Sequence, residues 1–276
     1  MPFYVIPFPV FDPVLVDLGP FAVHWYALAY IFGMLAGWFY ARTLISSEKL
    51  WGRPAPLTTN DVDDFVLWCA PAVMIGGRLG YVFFYETDFA VHPSAIFHLG
   101  TGGMSFHGAL LSVLLVEAAF ARWRKIPFLS LTDIVSAGVP IGLFLGRLGN
   151  FVNGELWGRP TDLPWAMVFP EAGPTPRHPS QLYEATLEGL LLFVILAFLI
   201  RAGALKRRGT ITGVFALGYG SARIGCEFFR EPDEQLGFIW GDLTMGMLLT
   251  VPVLLFGIGI LIAVRRTASA PSATKS

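Results

Sequence analysis

Gly146-Arg147-Leu148-Gly149-Asn150-Phe151-Val152-Asn153-Gly154-Glu155-Leu156-Trp157-Gly158 begins where an apolar run, Ile134 to Leu145, ends. It sets an arginine, two asparagines and a glutamate among four glycines. A segment leaving a membrane has no packing reason to carry that set. Glycine lets backbone approach a ligand closely. Arginine and asparagine offer fixed donors, and the glutamate can orient or neutralise one of them. The stretch reads as the rim of a polar site at a membrane surface. The competing reading is a charged loop with a snorkelling arginine.

Composition supports the membrane. Of 276 residues, 54% are hydrophobic and 14% charged, against roughly 25% charged in an ordinary soluble domain. Mean hydropathy is +0.60. Net charge is −1, so the distribution of charge says more than its sum. Cys69 and Cys226 both sit in apolar runs. That excludes a disulfide framework and gives no metal-ligand spacing. Met1 to Pro20 has no basic leader and is broken by five prolines, so no cleavable signal peptide is predicted.

A spanning helix needs about 20 mostly apolar residues. Seven runs qualify: Val23–Ile45, Val62–Tyr85, Ser105–Ala121, Leu131–Gly149, Gln181–Ile200, Ile211–Phe229 and Leu243–Val264. The expected fold is an all-α polytopic membrane protein with about seven transmembrane helices. Asn150 to Ser180 is too long and too rich in tryptophan and proline for a plain connection. It is expected to form a small extracytoplasmic head between spans 4 and 5. Pro2 to Pro20 is expected along the outer interface. Residues 1–267 read as one integral membrane domain and 268–276 as a disordered tail.

Charge orients the bundle. Arg42, Lys49 and Arg53 flank the first link, and Arg122, Arg124 and Lys125 the third. Arg201, Lys206, Arg207 and Arg208 occupy the fifth, and Arg265, Arg266 and Lys275 follow the last span. Positive residues collect on the cytoplasmic side, so the carboxy terminus is expected inside and the amino terminus outside. The other basic residues are Arg78, Arg147, Arg159, Arg177, Arg223 and Arg230. They fall on the opposite side or in spans running toward it. An arginine in hydrocarbon costs roughly 2.5–3.5 kcal/mol on insertion scales, so the outer side is expected to use them. Arg78-Leu79-Gly80, Arg147-Leu148-Gly149 and Arg223-Ile224-Gly225 repeat one pattern. The glycine is expected to ease close approach beside each arginine.

The chemistry-bearing candidates converge on the outer ends of spans: Tyr26, His107, Arg147, Asn150, Glu155, Arg223, Glu227 and Arg230. A histidine can be a neutral base near pH 7. Arg223, Glu227 and Arg230 share one helical face, read as net positive and suited to a phosphate. Trp25 fits an aromatic belt, and Ser180 reads as a helix N-cap. No nucleophile elbow, Walker loop, zinc motif or dinucleotide fingerprint is present. A base beside arginines facing the outer leaflet suits an anionic phospholipid, whose phosphate the arginines would stabilise as it leaves.

These residues resemble the bacterial prolipoprotein diacylglyceryl transferases. The stretch from Gly146 to Gly158 looks like that family's signature. Further similar segments are Gly102-Gly103-Met104-Ser105-Phe106-His107-Gly108, Arg177-His178-Pro179-Ser180-Gln181-Leu182-Tyr183-Glu184 and Arg223-Ile224-Gly225-Cys226-Glu227-Phe228-Phe229-Arg230-Glu231-Pro232-Asp233. His24-Trp25-Tyr26 is a looser match. The resemblance implies an inner-membrane enzyme with its site facing the periplasm or exterior. It implies transfer of the sn-1,2-diacylglyceryl group from phosphatidylglycerol to the lipobox cysteine thiol of a prolipoprotein still carrying its signal peptide. Glycerol-1-phosphate leaves, and lipoprotein maturation begins. No cofactor, metal or nucleic acid is implied. The residues expected to act are His107, Arg147, Arg223 and Glu227. Those expected to bind substrate are Tyr26, Arg147, Asn150, Glu155, Gly158, Arg223 and Arg230. His107 would be the base, because a free thiol, with pKa about 8.5, needs help to become a nucleophile. Two alternatives remain at this stage. One is another transferase acting on outer-leaflet phospholipid. The other is a lipid transporter, which the short basic cytoplasmic links and the lack of evident inverted repeats disfavour.

Overall fold

A computed structural model describes residues 6–9, 11–12, 14–17, 19, 22–85, 104–232, 237–241 and 243–269. Expectations for Gly102 and Gly103, and for residues 270–276, lie outside the described residues. Each apolar run is helical. The long helices are α1 (Trp25–Ser46), α3 (Thr59–Tyr85), α4 (Phe106–Trp123), α5 (Phe128–Val152), α8 (Thr210–Glu227) and α9 (Met245–Ser269), with a short α2 (Glu48–Trp51) between α1 and α3. The remaining long run, Ser180–Arg201, comprises α6 (Ser180–Glu184), a π-helical stretch Ala185–Leu191, and α7 (Leu192–Arg201).

Among the described residues, five helices are long and apolar enough to cross a membrane: Trp25–Ser46, Thr59–Phe83, Phe128–Val152, Ser180–Arg201 and Met245–Thr267. Helices α4 and α8 fill the third and sixth expected spans with 18 residues each. Helix α8 is less apolar through its glycines, Arg223 and Glu227, whereas α4 is as apolar as α3 and is only short. The outward faces are greasy: Leu67 is 72% exposed, Phe83 75% and Phe198 69%. Water-facing surfaces rarely carry such continuous apolar area, and lipid explains it. The chain is an all-α polytopic membrane protein.

Two compact units form, Met1–Ala41 with Asp133–Ser276, and Arg42–Thr132. The second is built on α3 and α4. Small residues set how closely these helices approach. A Cβ at Gly80 would lie 2.7 Å from Gly108 Cα, and Ser112 Oγ donates to Ala72 O at 2.6 Å. Thr58 and Asp61 cap the start of α3 reciprocally, and Arg124 pairs with Asp61 at 2.6 Å. Arg42 pairs with Asp63. Arg78 is buried on α3, its guanidinium 5.5 Å from the Tyr81 ring centre.

In the first unit, α8 packs along α9 through glycines. Cβ atoms at Gly213 and Gly220 would lie 2.7 and 2.6 Å from Leu261 and Leu254. Helix α8 begins after Gly209 (φ +89°) with no side-chain cap of its own. Asp133, fully buried on α5, supplies one. Its carboxylate accepts from Gly209 N at 2.7 Å and from Thr212 N and Oγ1 at 2.8 Å each. The expected role of the glycine after each arginine divides. Gly80 is tight, whereas a Cβ at Gly149 would meet Ala29 and Tyr26 at 3.4 Å, an ordinary contact. A Cβ at Gly225 would meet nothing within 4 Å outside its own helix backbone among the described residues. The pattern is therefore not one shared packing device.

The segment between α5 and α6 folds into a small head. Strand β4 (Met167–Val168) pairs in parallel with β1 (Ile6–Pro7). Phe8, Phe151, Phe169 and Trp157 gather beneath it, with Phe8 and Phe169 ring centres 5.1 Å apart. The amino-terminal segment is thus part of the head at Ile6 to Phe8, rather than only an interfacial strand. Strands β2 (Val14–Asp17) and β3 (Ala22–His24) form a separate antiparallel pair leading into α1. β5 (Phe238–Trp240) and β6 (Leu243–Thr244) form another leading into α9. Asp133→Ala should remove three hydrogen bonds to a buried carboxylate at the start of α8 and destabilise the protein by about 3 kcal/mol. Thermal unfolding in micelles would check this, and an unchanged midpoint would show that α8 does not need the cap.

Candidate active site

The π-helical stretch begins one residue after Glu184. Such stretches are rare and concentrate at functional sites. Here the chain must place Glu184 and Glu188 among arginines while Gly189 presses on Phe144, where a Cβ would lie 2.6 Å from the Phe144 Cβ. Both glutamate side chains are completely buried.

Glu184 gathers three guanidinium groups. Arg147 Nε, near the end of α5, lies 3.0 Å from Oε2. Arg223 Nη1, on α8, donates to Oε1 at 2.9 Å, and Arg230 Nη1 lies 3.5 Å from that oxygen. Glu227, one turn beyond Arg223, binds its Nη2 at 2.8 Å and accepts from Thr244 Oγ1 at 2.7 Å. Glu188 meets Arg147 Nη2 at 3.6 Å and has no hydrogen-bond partner among the described residues. The face expected to be net positive therefore belongs to a network of three arginines and three glutamates. Its guanidinium groups are oriented rather than loose, and presenting fixed donors is what recognition of a phosphate requires.

The glycine-rich rim folds over this network. Asn150 Nδ2 donates to Glu155 Oε1 at 2.7 Å, and Asn153 reaches the same oxygen at 3.5 Å. Gly154 (φ +68°) and Leu156 (φ +58°) turn the chain through left-handed backbone on either side of Glu155. Gln181 Nε2 donates to Glu155 O at 2.6 Å. Ser180 Oγ donates to Leu156 O at 3.0 Å. Ser180 is thus the first residue of α6 and a rim anchor, not the N-cap the sequence suggested, because Pro179 occupies that position. Gly158 has no room for a side chain: a Cβ would lie 2.7 Å from His178 Cβ. Its N–H donates to His178 O at 2.9 Å, and it bridges to Arg230. Arg159 turns back beneath, donating to Arg230 O at 2.9 Å and Glu227 O at 3.3 Å.

Of the residues singled out by sequence, Tyr26, Arg147, Asn150, Glu155, Gly158, Arg223, Glu227 and Arg230 all lie in this unit. Tyr26 packs against Gly149, and its hydroxyl is 2.8 Å from that of Tyr30. His107 lies in the first turn of α4, and its side chain is outside the described residues. Sequence reasoning missed Glu184, Glu188 and Thr244 as parts of the site. Glu184 and Glu188 are two carboxylates spaced i, i+4 within an apolar run, and membrane charges are placed in pairs. That signal was present. Thr244 carried none, since its role depends on a hairpin that folds back onto α8.

The sequence is similar to known proteins over nearly its whole length. The family model described as prolipoprotein diacylglyceryl transferase matches residues 13–263. A Rhodopseudomonas palustris protein is 60% identical over 277 residues, covering 99% of this chain and 97% of its own. A Bradyrhizobium diazoefficiens protein is 58% identical, covering 98% of each. One from Methylocella silvestris is 55% identical, covering 99% of this chain and all of its own. All three are named phosphatidylglycerol–prolipoprotein diacylglyceryl transferase.

Two measurements follow from the geometry. Glu184→Ala would strand buried guanidinium groups and should cost about 3–5 kcal/mol, read as a lower unfolding midpoint in micelles. A wild-type midpoint would show that water or lipid replaces the carboxylate without loss. His178, outside the spanning helices, has its ring Nδ1 3.1 Å from Tyr183 Oη, and burial holds its pKa below the ordinary imidazole value. The unfolded chain then binds the proton first as pH falls, so this residue's share of stability should be lost below about pH 6.5. His178→Gln should flatten that part of the midpoint-against-pH curve, and an unaltered curve would assign it to another group.

Proposed function

The chain belongs to the prolipoprotein diacylglyceryl transferase family, and from that premise we propose that it transfers the sn-1,2-diacylglyceryl group of phosphatidylglycerol to a prolipoprotein. The acceptor is the lipobox cysteine thiol, next to a signal peptide still in place. A sulfur–carbon bond forms at the glyceryl carbon as its bond to the phosphate oxygen breaks. The phosphate keeps the electron pair and leaves as glycerol-1-phosphate, and the product is a thioether.

The observation that carries this reading is the arginine trio fixed by Glu184 at one end of a lipid-facing bundle. Arg147 and Arg223 hold the phosphate and stabilise its charge as it departs. Glu227 sets the pose of Arg223, and Arg230 closes the cradle with the Gly158 backbone. Asn150 and Glu155 order the rim, and Tyr26 meets the headgroup. His107 takes the thiol proton, raising the thiolate fraction for attack. Residues 1–267 act as one catalytic membrane domain of seven spans, with 268–276 a tail. The amino terminus and the site face the periplasm or exterior, and the carboxy terminus faces the cytoplasm, as the distribution of basic residues supports. The membrane is the bacterial inner membrane.

The test is a reconstituted assay with acyl-labelled phosphatidylglycerol and a peptide bearing a lipobox cysteine. Label should appear on the cysteine together with free glycerol phosphate, and both should vanish with a Cys→Ser peptide. Arg147→Ala should lower kcat/KM by 100-fold or more, on the order of the loss of one oriented anion donor. Label accepted by a non-protein acceptor instead of the peptide would point to another phospholipid transferase. His107→Gln with near-normal turnover from about pH 6 to 9 would remove the base assignment.

A further inference from the structure

The β5–β6 hairpin is apolar on both faces. Side chains alternate sides along a strand, yet Phe238, Ile239 and Trp240 are all exposed, Trp240 by 82%. Across from them Leu243 is exposed as well. The stretch from Phe238 to Thr244 contains one charged residue, Asp242. A two-stranded hairpin with grease on both sides is marginal in water. This one is covalently continuous with a membrane helix, since β6 ends at Thr244 and α9 begins at Met245. The exposed surface of α9 continues with Leu248, Leu249 and Val251. The hairpin therefore stands at the boundary between lipid and water. That is where tryptophan, with an apolar ring and one donor, is most at home.

Its base is tied to the arginine network. Thr244 Oγ1 donates to Glu227 and accepts from Met247 N, closing the first turn of α9. The Arg159 guanidinium lies 5.2 Å from the Phe238 ring centre while holding the backbone carbonyls of Glu227 and Arg230. Two contacts thus join a lipid-suited surface to the groups that orient Arg223 and Arg230.

We propose that the β5–β6 hairpin is a lipid-docking surface, inserting Ile239 and Trp240 into the interfacial layer of the leaflet at the arginine end of the bundle and so presenting phospholipid headgroups to that network. The insertion rests on the hairpin's own exposure and on its continuity with α9. The presentation of headgroups rests on the phosphatidylglycerol reading above. The occupant is the lipid surface, not the signal peptide of the acceptor.

The experiment has two arms that fail separately. In the first, the full chain is placed in phosphatidylglycerol–phosphatidylcholine vesicles, and the emission of Trp240→Phe is subtracted from that of wild type. The difference signal should be blue-shifted and quenched by acyl-brominated phosphatidylcholine, with little effect of aqueous iodide. Quenching by iodide and not by bromolipid overturns the insertion, whatever the enzyme's activity. In the second arm, Ile239→Glu and Trp240→Glu are assayed for both substrates. KM for phosphatidylglycerol should rise about tenfold through lost apolar burial, with KM for the lipobox peptide within about a factor of two. A rise confined to the peptide KM would make the hairpin a preprotein surface and overturn the proposal. Absence of transfer by the wild-type protein would sink the functional reading alone, because the quenching arm decides the insertion by itself.

Discussion

A carboxylate with no exposed surface inside a membrane bundle cannot stand alone, and Glu184 is such a group. Leaving a charge unpaired there costs several kcal/mol or more. Guanidinium groups from α5, from α8 and from just beyond α8 converge on it. The fold of the first unit can be understood as what is needed to bring those three together. The glutamates balance the arginines in number. A phosphate entering this cradle would meet directed donors, not an excess of positive charge. The selectivity of such a site would come from where N–H bonds point.

Several of the devices that hold this arrangement are borrowed from distant parts of the chain. Helix α8 takes its cap from α5 through Asp133. The rim takes its anchors from α6 through Ser180 and Gln181. Glu227 takes a donor from the hairpin before α9. Each link joins elements separated by many residues. The polar groups are therefore satisfied only when the helices are already in place, which favours one arrangement over the many a greasy bundle could otherwise adopt.

The helices were legible because hydrocarbon demands long apolar runs, and the matching apolar stretches could be marked to within a few residues. The rim was legible because Gly146 to Gly158 carries polar side chains that no lipid-facing segment would keep. What remained hidden depended on three dimensions. Arg223, Glu227 and Arg230 could be placed on one face from their spacing. The second set of carboxylates on the Ser180–Arg201 run changed the meaning of that face. The π-helical stretch leaves no local trace, since it is stabilised by where Glu184 and Glu188 must go and by the close approach of Gly189 to Phe144. Ser180 looked like a cap because serine so often is one. Its hydroxyl was claimed instead by the Leu156 carbonyl across the rim.

The pairing of Ile6 with Met167 has a consequence for biosynthesis. Strand β1 precedes its partner β4 in the chain by four of the long helices, so it is synthesised well before β4. Strand β1 therefore stays without its β4 partner until those helices have been made. Completion of the head is in this sense a late checkpoint of assembly.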